Sequence, residues 1–218
     1  MKKYVNLFVF VFMVGTCFSQ GKAQTKSAVS YKNPVVDIAM PDPTVIKAAD
    51  GYFYVYATES TRNVPIMKSK DLVQWTYCNT AFTNKTRPRF EPKAGIWAPD
   101  INYINGKYVL YYAMSVWGGE QTCGIGVATA DSPQGPFTDH GKMFRSNEIG
   151  VQNSIDPSLL QYEGRNYLVW GSFRGIYVIE LTADGLSIMP GAKKKRIAGT
   201  AFEAVYIHKH DDYYYMFA

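Results

Sequence analysis

The sequence contains few cysteines, and this scarcity limits how the fold can be held together. Of 218 residues only three are cysteine, and only Cys78 and Cys123 lie in the body of the chain. Two cysteines cannot build the disulfide framework of a small secreted domain. We interpret both as half-buried thiols, with a bridge between neighbouring segments as the alternative. The 47% of hydrophobic residues is ordinary for a chain that is stabilised by a buried core instead.

Long apolar runs are also lacking, which argues against a membrane span. The run at residues 7–14 is far shorter than the roughly 20 apolar residues of a spanning helix. Lys2 and Lys3 precede this run and small residues follow it, as in an export signal. We therefore predict a signal peptide over residues 1–23. A buried first strand is one alternative, and a lipoprotein site at Cys17 is another, although the threonine before this cysteine fits such a site poorly.

The predicted export signal places the mature protein in the periplasm, outside the cell or attached to its surface. We predict a polar linker over residues 24–32 and a folded domain over residues 33–218. Removing residues 1–23 takes away three lysines, so the formal net charge falls from +5 to +2. This small charge gives no argument for nucleic-acid binding. We expect the protein to be a monomer.

Convincing amphipathic helices are absent as well, and the chain is rich in strand-forming residues instead. Aromatic residues reach 15%, with 17 Tyr and 12 Phe, and such residues favour strands. Their rings are also suited to stacking on sugars. Short apolar runs alternate with turns, and Asn105-Gly106 between two alternating runs is the strongest short-range hairpin signal. The sequence therefore predicts an all-β protein.

The strand-like runs recur along the chain in a repeated pattern. We predict four repeats whose first runs begin with a carboxylate at matching points, between 47 and 58 residues apart: Asp42, Asp100, Asp156 and Glu203. Four short strands per repeat at this spacing are typical of a β-propeller. The first strand of each propeller blade lines the central channel. We therefore expect carboxylates from different repeats to converge at one rim of that channel.

The number of repeats does not complete a ring. Three complete repeats and half of a fourth are present, whereas propellers typically have about four to eight blades. The last strand-like run continues to residue 218. We therefore expect this sequence to be an N-terminal fragment of a longer protein, with about three and a half blades of a propeller that has five.

Five short motifs in one order give the sequence a family resemblance: Pro41-Asp42-Pro43, Trp97-Ala98-Pro99-Asp100, Asn153-Ser154-Ile155-Asp156-Pro157, Gly171-Ser172-Phe173 and Phe202-Glu203-Ala204. With them, the chain from about residue 33 onward resembles glycoside hydrolase family 43, whose fold is a five-bladed propeller. Residues 153–175 look closest to its endo-α-1,5-L-arabinanase branch. The resemblance implies that Asp42 is the general base, Glu203 the general acid and Asp156 the aspartate that modulates and orients that acid. It leaves Asp100 outside the catalytic set.

The residue types suit this chemistry on their own terms. Two carboxylates about 6.5–9.5 Å apart can hydrolyse a glycosidic bond with inversion, because a water molecule fits between base and sugar. A third carboxylate raises the pKa of the acid by like-charge repulsion. Together with the resemblance, which implies the substrate, this predicts an inverting hydrolase of α-1,5-linked L-arabinan in plant cell walls. One alternative is an exo-acting α-L-arabinofuranosidase or β-xylosidase of the same family, and another is a non-catalytic glycan-binding propeller.

Side chains near the motifs are candidates for contacts with the polysaccharide substrate. Trp97, Trp117 and Phe173 can stack on sugar rings, while Arg174 and Asn153 can bind sugar hydroxyls. For each of them, ordinary packing or solvation is the alternative.

We predict no metal site from these residues and no required cofactor. The three histidines lack metal-ligand spacing apart from His208 and His210, which we expect to be exposed. The family resemblance allows a calcium ion in the central channel, held partly by a histidine from a later blade.

Overall fold

The computed structural model of the protein describes residues 30–218, and Lys32–Ala218 form one compact unit. The predicted signal peptide, the cysteine at position 17 and all but the last three residues of the predicted linker lie outside the described residues. Within the described part, 14 strands form four antiparallel sheets, and one short helix follows the eighth strand. No helix in this part is long and apolar enough to cross a membrane.

The four sheets follow one another along the chain, and each is a simple up-and-down meander. The first sheet contains β1 (Thr44–Lys47), β2 (Phe53–Tyr56), β3 (Pro65–Ser69) and β4 (Trp75–Thr80). The second contains β5 (Gly95–Ile104), β6 (Lys107–Ser115), β7 (Gly124–Ala130) and β8 (Thr138–Arg145), followed by the helix α1 (Ser146–Ile149). The third contains β9 (Ser158–Tyr162), β10 (Arg165–Trp170), β11 (Ile176–Glu180) and β12 (Lys195–Ala198), and the last is a hairpin of β13 (Tyr206–His210) and β14 (Tyr213–Phe217). The predicted all-β architecture of three four-stranded repeats and half of a fourth is confirmed.

The first strands of the four sheets contact one another in sequence order, β1 with β5, β5 with β9 and β9 with β13. Side-chain hydrogen bonds cross from one of these strands to the next. Thr44 Oγ1 accepts the N–H of Ile101 at 3.3 Å, and Asp100 Oδ2 accepts the N–H of Leu159 at 2.7 Å. The first strands therefore line one common channel, as the repeat pattern predicts.

The same tight turn occurs just before β1, β9 and β13, and as a bulge within β5. Four non-glycine residues in this turn adopt left-handed backbone angles, with φ of 49°, 41°, 57° and 55° at Asp42, Ala98, Asp156 and Ala204. Such angles are uncommon outside glycine. Two residues later, each first strand pairs with its second strand through Thr44, Asp100, Ser158 and Tyr206. We call this feature the starting turn of a blade.

The starting turns correct the predicted register of the repeats. Asp42 and Asp156 occupy equivalent positions, but Asp100 lies two residues after the equivalent alanine, Ala98, and Glu203 lies one residue before the equivalent alanine. The prediction that all four carboxylates match was therefore wrong. Part of the cause is visible in the sequence, because a proline follows Asp42 and Asp156, whereas Asp100 has a proline only before it.

The aromatic residues fill the spaces between neighbouring sheets. Successive residues of β6 point to opposite faces, so Tyr112 packs with Phe82 in the core beside the first sheet. Tyr111 packs instead in the core beside the third sheet, where Phe144 and Trp170 lie with ring centroids 5.1 Å apart. The high aromatic content therefore serves mainly to bury the blade faces.

The two cysteines of the body are both free thiols, so the bridge alternative is wrong. Cys78 is half-buried, as predicted, whereas Cys123 is fully buried. Burial raises the pKa of both thiols above the ordinary value for cysteine.

A buried ion pair ties the first sheet to the segment that leads into the second. Arg87 donates to both carboxylate oxygens of Glu59 at 2.8 Å, and the two side chains are only 7% and 8% exposed. The N–H groups of Asn63 and Ile96 donate to the same carboxylate. Burial by itself raises the pKa of Glu59, but the guanidinium and the two N–H groups outweigh this effect and lower the pKa.

We expect Arg87→Met to lower the free energy of unfolding by about 3 kcal/mol, because it leaves a buried carboxylate without its charged partner. The matched control is Lys107→Met, which breaks the exposed pair with Asp131 and should change the stability by less than about 0.5 kcal/mol. Urea unfolding of the full-length protein measures both. Equal effects of the two substitutions would contradict a structural role for the buried pair.

Candidate active site

A cleft of about 640 Å³ opens where the first strands of all four sheets meet. Its lining includes Asp42 and Thr44 of the first blade, Asp100 of the second, Asp156 of the third and Tyr206 of the fourth. The starting turns bring these residues to one rim although they are far apart in the sequence. The cleft therefore holds Asp42, Asp100 and Asp156 at one rim, and Glu203 directly precedes its lining residue Ala204.

Asp156 lies on the starting turn of the third blade and is half-buried. Its pKa is raised to about 7, mainly by burial and then by the nearby negative charges of Glu203 and Asp42. The backbone N–H of Ala204 donates to the carboxylate and acts in the opposite direction. Both other predicted catalytic carboxylates therefore lie close enough to Asp156 to affect its pKa.

Asp42 lies on the starting turn of the first blade and is exposed to solvent. Thr58 lies two residues after the end of β2, and its hydroxyl donates to Asp42 Oδ2. The N–H of Thr58 donates to the carbonyl of Pro41 at 2.9 Å, which holds the starting turn against the second strand. The carboxylate is thus fixed on one side and open to the cleft.

Glu203 reaches the rim from the connection between β12 and β13. It forms an isolated bridge with Ser172, whose hydroxyl donates to Glu203 Oε2 at 3.2 Å. The N–H of Phe173 donates to the carbonyl of Phe202 at 2.8 Å and fixes the same approach. Ser172 is buried while Glu203 is exposed, so a buried side chain positions a carboxylate that solvent can reach.

Asp100 contributes to the same cleft in a different way. Burial raises its pKa to about 6, against the effect of hydrogen bonds from Asn102, Leu159 and Thr44 that lower it. Its carboxylate touches neighbouring first strands on both sides, because Thr44 donates from the first blade and Leu159 from the third. These contacts fit a residue that ties the blades together.

Trp97 and Trp117 lie together beside the cleft, with ring centroids 5.4 Å apart. Trp97 packs against Ala113, Cys123 and Ile155, the last of which precedes Asp156. Trp117 is 93% exposed. An exposed ring of this size is a ready surface for stacking, whereas Trp97 also serves as packing.

The other predicted substrate contacts lie in a linked set of loops at the same rim. Arg174 pairs with Glu120 at 2.9 Å, and the N–H of Asn153 donates to the Glu120 carbonyl at 2.7 Å. The side-chain amide of Asn153 donates to the carbonyl of Ser172 at 3.4 Å. Phe173 is 47% exposed. Arg174 and Asn153 are therefore already engaged within the protein, and Phe173 is free to meet a ligand.

Several residues of this site were not found from the sequence. Thr58 and Glu120 carry no motif, since each becomes important only when another blade is packed against it. Ser172 lies in a motif that we used for the resemblance, yet the bond that its hydroxyl donates to Glu203 was not predicted. The signal for Ser172 was present, whereas none was available for the other two.

The residues of the described part do not fit a calcium site. No group of three or more His, Cys, Asp or Glu side chains within residues 30–218 is arranged to hold a metal ion. His208 and His210 are exposed, as predicted, and His140 shares a hydrogen bond with Thr129.

Comparison with known proteins finds one matching family and relatives of similar sequence. Residues 31–218 match the model of the glycosyl hydrolases of family 43. The extracellular endo-α-(1→5)-L-arabinanase 1 of Bacillus subtilis is 35% identical over 189 residues, which cover 80% of this chain and 57% of that protein. The chain therefore spans little more than half the length of this relative.

Solved structures show the same similarity. An exo-1,5-α-L-arabinanase from a bovine ruminal metagenomic library superposes with a TM-score of 0.70 at 30% identity, over 86% of this chain and 66% of that one. The α-L-arabinanase of Cellvibrio cellulosa in complex with arabinohexaose gives a TM-score of 0.71 at 26% identity, over 82% and 64% of the two chains.

The raised pKa of Asp156 predicts how stability depends on pH. The folded-state pKa of about 7 exceeds the unfolded value of about 3.9, so the folded state binds more protons between these values. The contribution of the Asp156 carboxyl group to stability is therefore fully present below about pH 4 and is lost as the pH rises through 7. We expect Asp156→Asn to be more stable than the wild type by about 1–3 kcal/mol at pH 8, and by less at pH 5.

Chemical unfolding of the full-length protein at pH 5 and pH 8 measures this difference. The control is Asp131→Asn, which removes an exposed carboxylate and should change the stability by less than about 0.5 kcal/mol at either pH. A stability gain for Asp156→Asn that does not grow between pH 5 and pH 8 would show that this carboxylate is not strained by burial and by its neighbours.

Proposed function

Because the chain belongs to the glycosyl hydrolases of family 43, we propose that the protein hydrolyses α-1,5-linked L-arabinan with inversion at the anomeric carbon. One observation carries the proposal. Asp42, Asp156 and Glu203 come from three different blades, yet Asp42 and Glu203 lie close enough to Asp156 for their charges to raise its pKa. Two carboxylates with opposite proton roles and a third that tunes them are what inverting hydrolysis requires.

In this proposal Asp42 is the general base. It is exposed to the cleft and is held from one side by Thr58. A water molecule between this carboxylate and the sugar gives up its proton as its oxygen attacks the anomeric carbon. The bond from the anomeric carbon to the leaving oxygen breaks in the same step.

Glu203 is the general acid of the proposal and protonates the leaving oxygen. Its carboxyl group is exposed next to Ala204 of the cleft lining, and the hydroxyl of Ser172 fixes one of its oxygens. A fixed oxygen leaves the other free to face the glycosidic bond. Protonation of the leaving oxygen contributes typically about 10²–10⁴-fold to such reactions.

Asp156 neither gives nor takes the reacting proton in this proposal. Its pKa of about 7 arises from burial and then from repulsion by Glu203 and Asp42. Asp156 instead modulates and orients Glu203, which is the role that the family resemblance implies.

The polysaccharide is proposed to lie across the rim, over Trp117 and Phe173. Arabinan is favoured because the relatives at 35% and 30% identity are named arabinanases. We also propose that the protein is exported and acts as a monomer. The name of the Bacillus subtilis relative, which includes the word extracellular, supports export.

A second candidate function is exo-acting hydrolysis. The similarity to an exo-1,5-α-L-arabinanase at 30% identity favours it as the alternative. Endo and exo enzymes differ in whether the cleft is open at both ends. Product sizes from linear arabinan separate the two, since endo action releases a range of oligosaccharides from the first minutes and exo action releases one short product.

The catalytic roles predict strong losses of activity in the full-length protein. Asp42→Ala and Glu203→Ala should each lower the release of arabino-oligosaccharides from linear arabinan by about 10²–10⁴-fold. Reducing-sugar assays with chromatographic analysis of the products measure this release. Asp131→Ala removes an equally exposed carboxylate away from the cleft and should keep the wild-type rate. Wild-type activity in either of the first two variants would sink the assignment.

The stacking role of Trp117 predicts a loss of binding and not of chemistry. Trp117→Ala should raise KM for arabino-oligosaccharides about tenfold, which corresponds to about 1.4 kcal/mol, with kcat nearly unchanged. Tyr77→Ala is the control, because Tyr77 is an exposed aromatic residue on the outermost strand of the first sheet. If Trp117→Ala has the KM of the control, sugar does not stack on this ring.

A further inference from the structure

Thr58 makes three hydrogen bonds that together connect two blades with Asp42. Its N–H donates to Pro41 O at 2.9 Å, its hydroxyl donates to Asp42 Oδ2 at 2.5 Å, and its Oγ1 accepts the N–H of Ala98 at 2.7 Å. Ala98 is the residue on the starting turn of the second blade. The side chain therefore stands between one blade's carboxylate and the next blade's backbone.

The bond from Ala98 determines where the hydroxyl proton of Thr58 points. A threonine hydroxyl has one proton to donate and two lone pairs that accept. Since the alanine N–H is a donor only, it occupies a lone pair, and the single proton is left for Asp42. The hydroxyl of Thr58 can therefore act only as a donor toward Asp42, which fixes the position of Oδ2.

The third blade offers an internal comparison at the equivalent position. Gly171 takes the place of Thr58, because its N–H donates to Ile155 O at 3.0 Å in the same way. Glycine has no hydroxyl, and no side chain fits there, since φ is 128° and a Cβ would lie 2.2 Å from the carbonyl oxygen of Gly175. The N–H of Ala204 instead reaches the carboxylate of Asp156 directly.

Two aspartates on equivalent backbone turns therefore have different surroundings. At Asp156 the next blade donates its N–H to the carboxylate itself, and burial adds to the repulsion from its neighbours. At Asp42 the same N–H is used by Thr58, whose hydroxyl then meets the carboxylate from the side. Within residues 30–218 no group donates to the other oxygen, Oδ1, which is left open for a water molecule.

We propose that Thr58 is a positioning residue for the general base: it passes the hydrogen bond of the Ala98 N–H on to Asp42, fixes one carboxylate oxygen and directs the other to the attacking water. This proposal rests on the proposed function, because it takes Asp42 as the base. It explains why the two equivalent aspartates have separate roles, since the hydroxyl is present beside one and sterically excluded beside the other.

The test compares Thr58→Val with Thr58→Ser in the full-length protein, with linear arabinan as the substrate. Valine keeps the shape of threonine and lacks the hydroxyl, whereas serine keeps the hydroxyl. We expect Thr58→Val to lower kcat about 10- to 100-fold with KM changed less than about threefold, and Thr58→Ser to stay within about threefold of the wild type. Thr129→Val, which removes a hydroxyl outside the cleft, is the control for the substitution itself.

The pH dependence gives a readout that a purely structural role would not change. Without the donated hydrogen bond a carboxylate is protonated more easily, so the acidic limb of the kcat/KM profile should move to higher pH in Thr58→Val and return in Thr58→Ser. If Thr58→Val does not fold, as judged from its melting curve, Thr58→Ala is measured with the same expectation.

Three outcomes overturn the proposal. Wild-type kcat and an unshifted profile in Thr58→Val would show that the hydroxyl does not act on Asp42. Equal losses in the valine and serine variants would assign the effect to packing. A lower kcat with an unshifted pH profile in Thr58→Val would also assign the effect to packing and not to the hydrogen bond. An inactive wild type refutes the proposed function itself, which separates that failure from failure of the role of Thr58.

Discussion

Repulsion among three carboxylates is the constraint on which this site depends. Asp156, Glu203 and Asp42 would separate in a flexible chain, yet the fold keeps them close enough for two of them to raise the pKa of the third. Backbone turns with left-handed angles hold two of them, and a buried serine holds the other. The energy for this arrangement comes from the buried aromatic faces between the blades, far from the site.

The blades are joined at the channel by side chains that bond to the backbone of the next first strand. Thr44 binds the N–H of Ile101, Asp100 binds that of Leu159, and Thr58 binds that of Ala98. The first strands of different sheets do not pair as a ladder, so such bonds fix their relative positions. Catalytic geometry in this fold is therefore set between blades rather than within one blade.

The sequence predicted the strands, the repeats and the convergence of Asp42 and Asp156, because all of these follow from local patterns repeated at a regular spacing. It misjudged the register of Asp100, because a proline beside an aspartate was read alike on either side, and that of Glu203, because the left-handed residue is its neighbour Ala204. It missed Thr58 and Glu120, because their partners lie in other blades. Contacts between blades depend on packing that no single stretch of sequence records.

We propose that Asp42 acts through water and not as a nucleophile. The anomeric configuration of the first product tests this role most directly. Proton NMR during hydrolysis of linear α-1,5-arabinan by the full-length protein distinguishes the anomers before they interconvert. A single displacement by water predicts the β-anomer at the new reducing end. First appearance of the α-anomer would mean two displacements through a covalent intermediate, and would contradict the roles assigned to all three carboxylates.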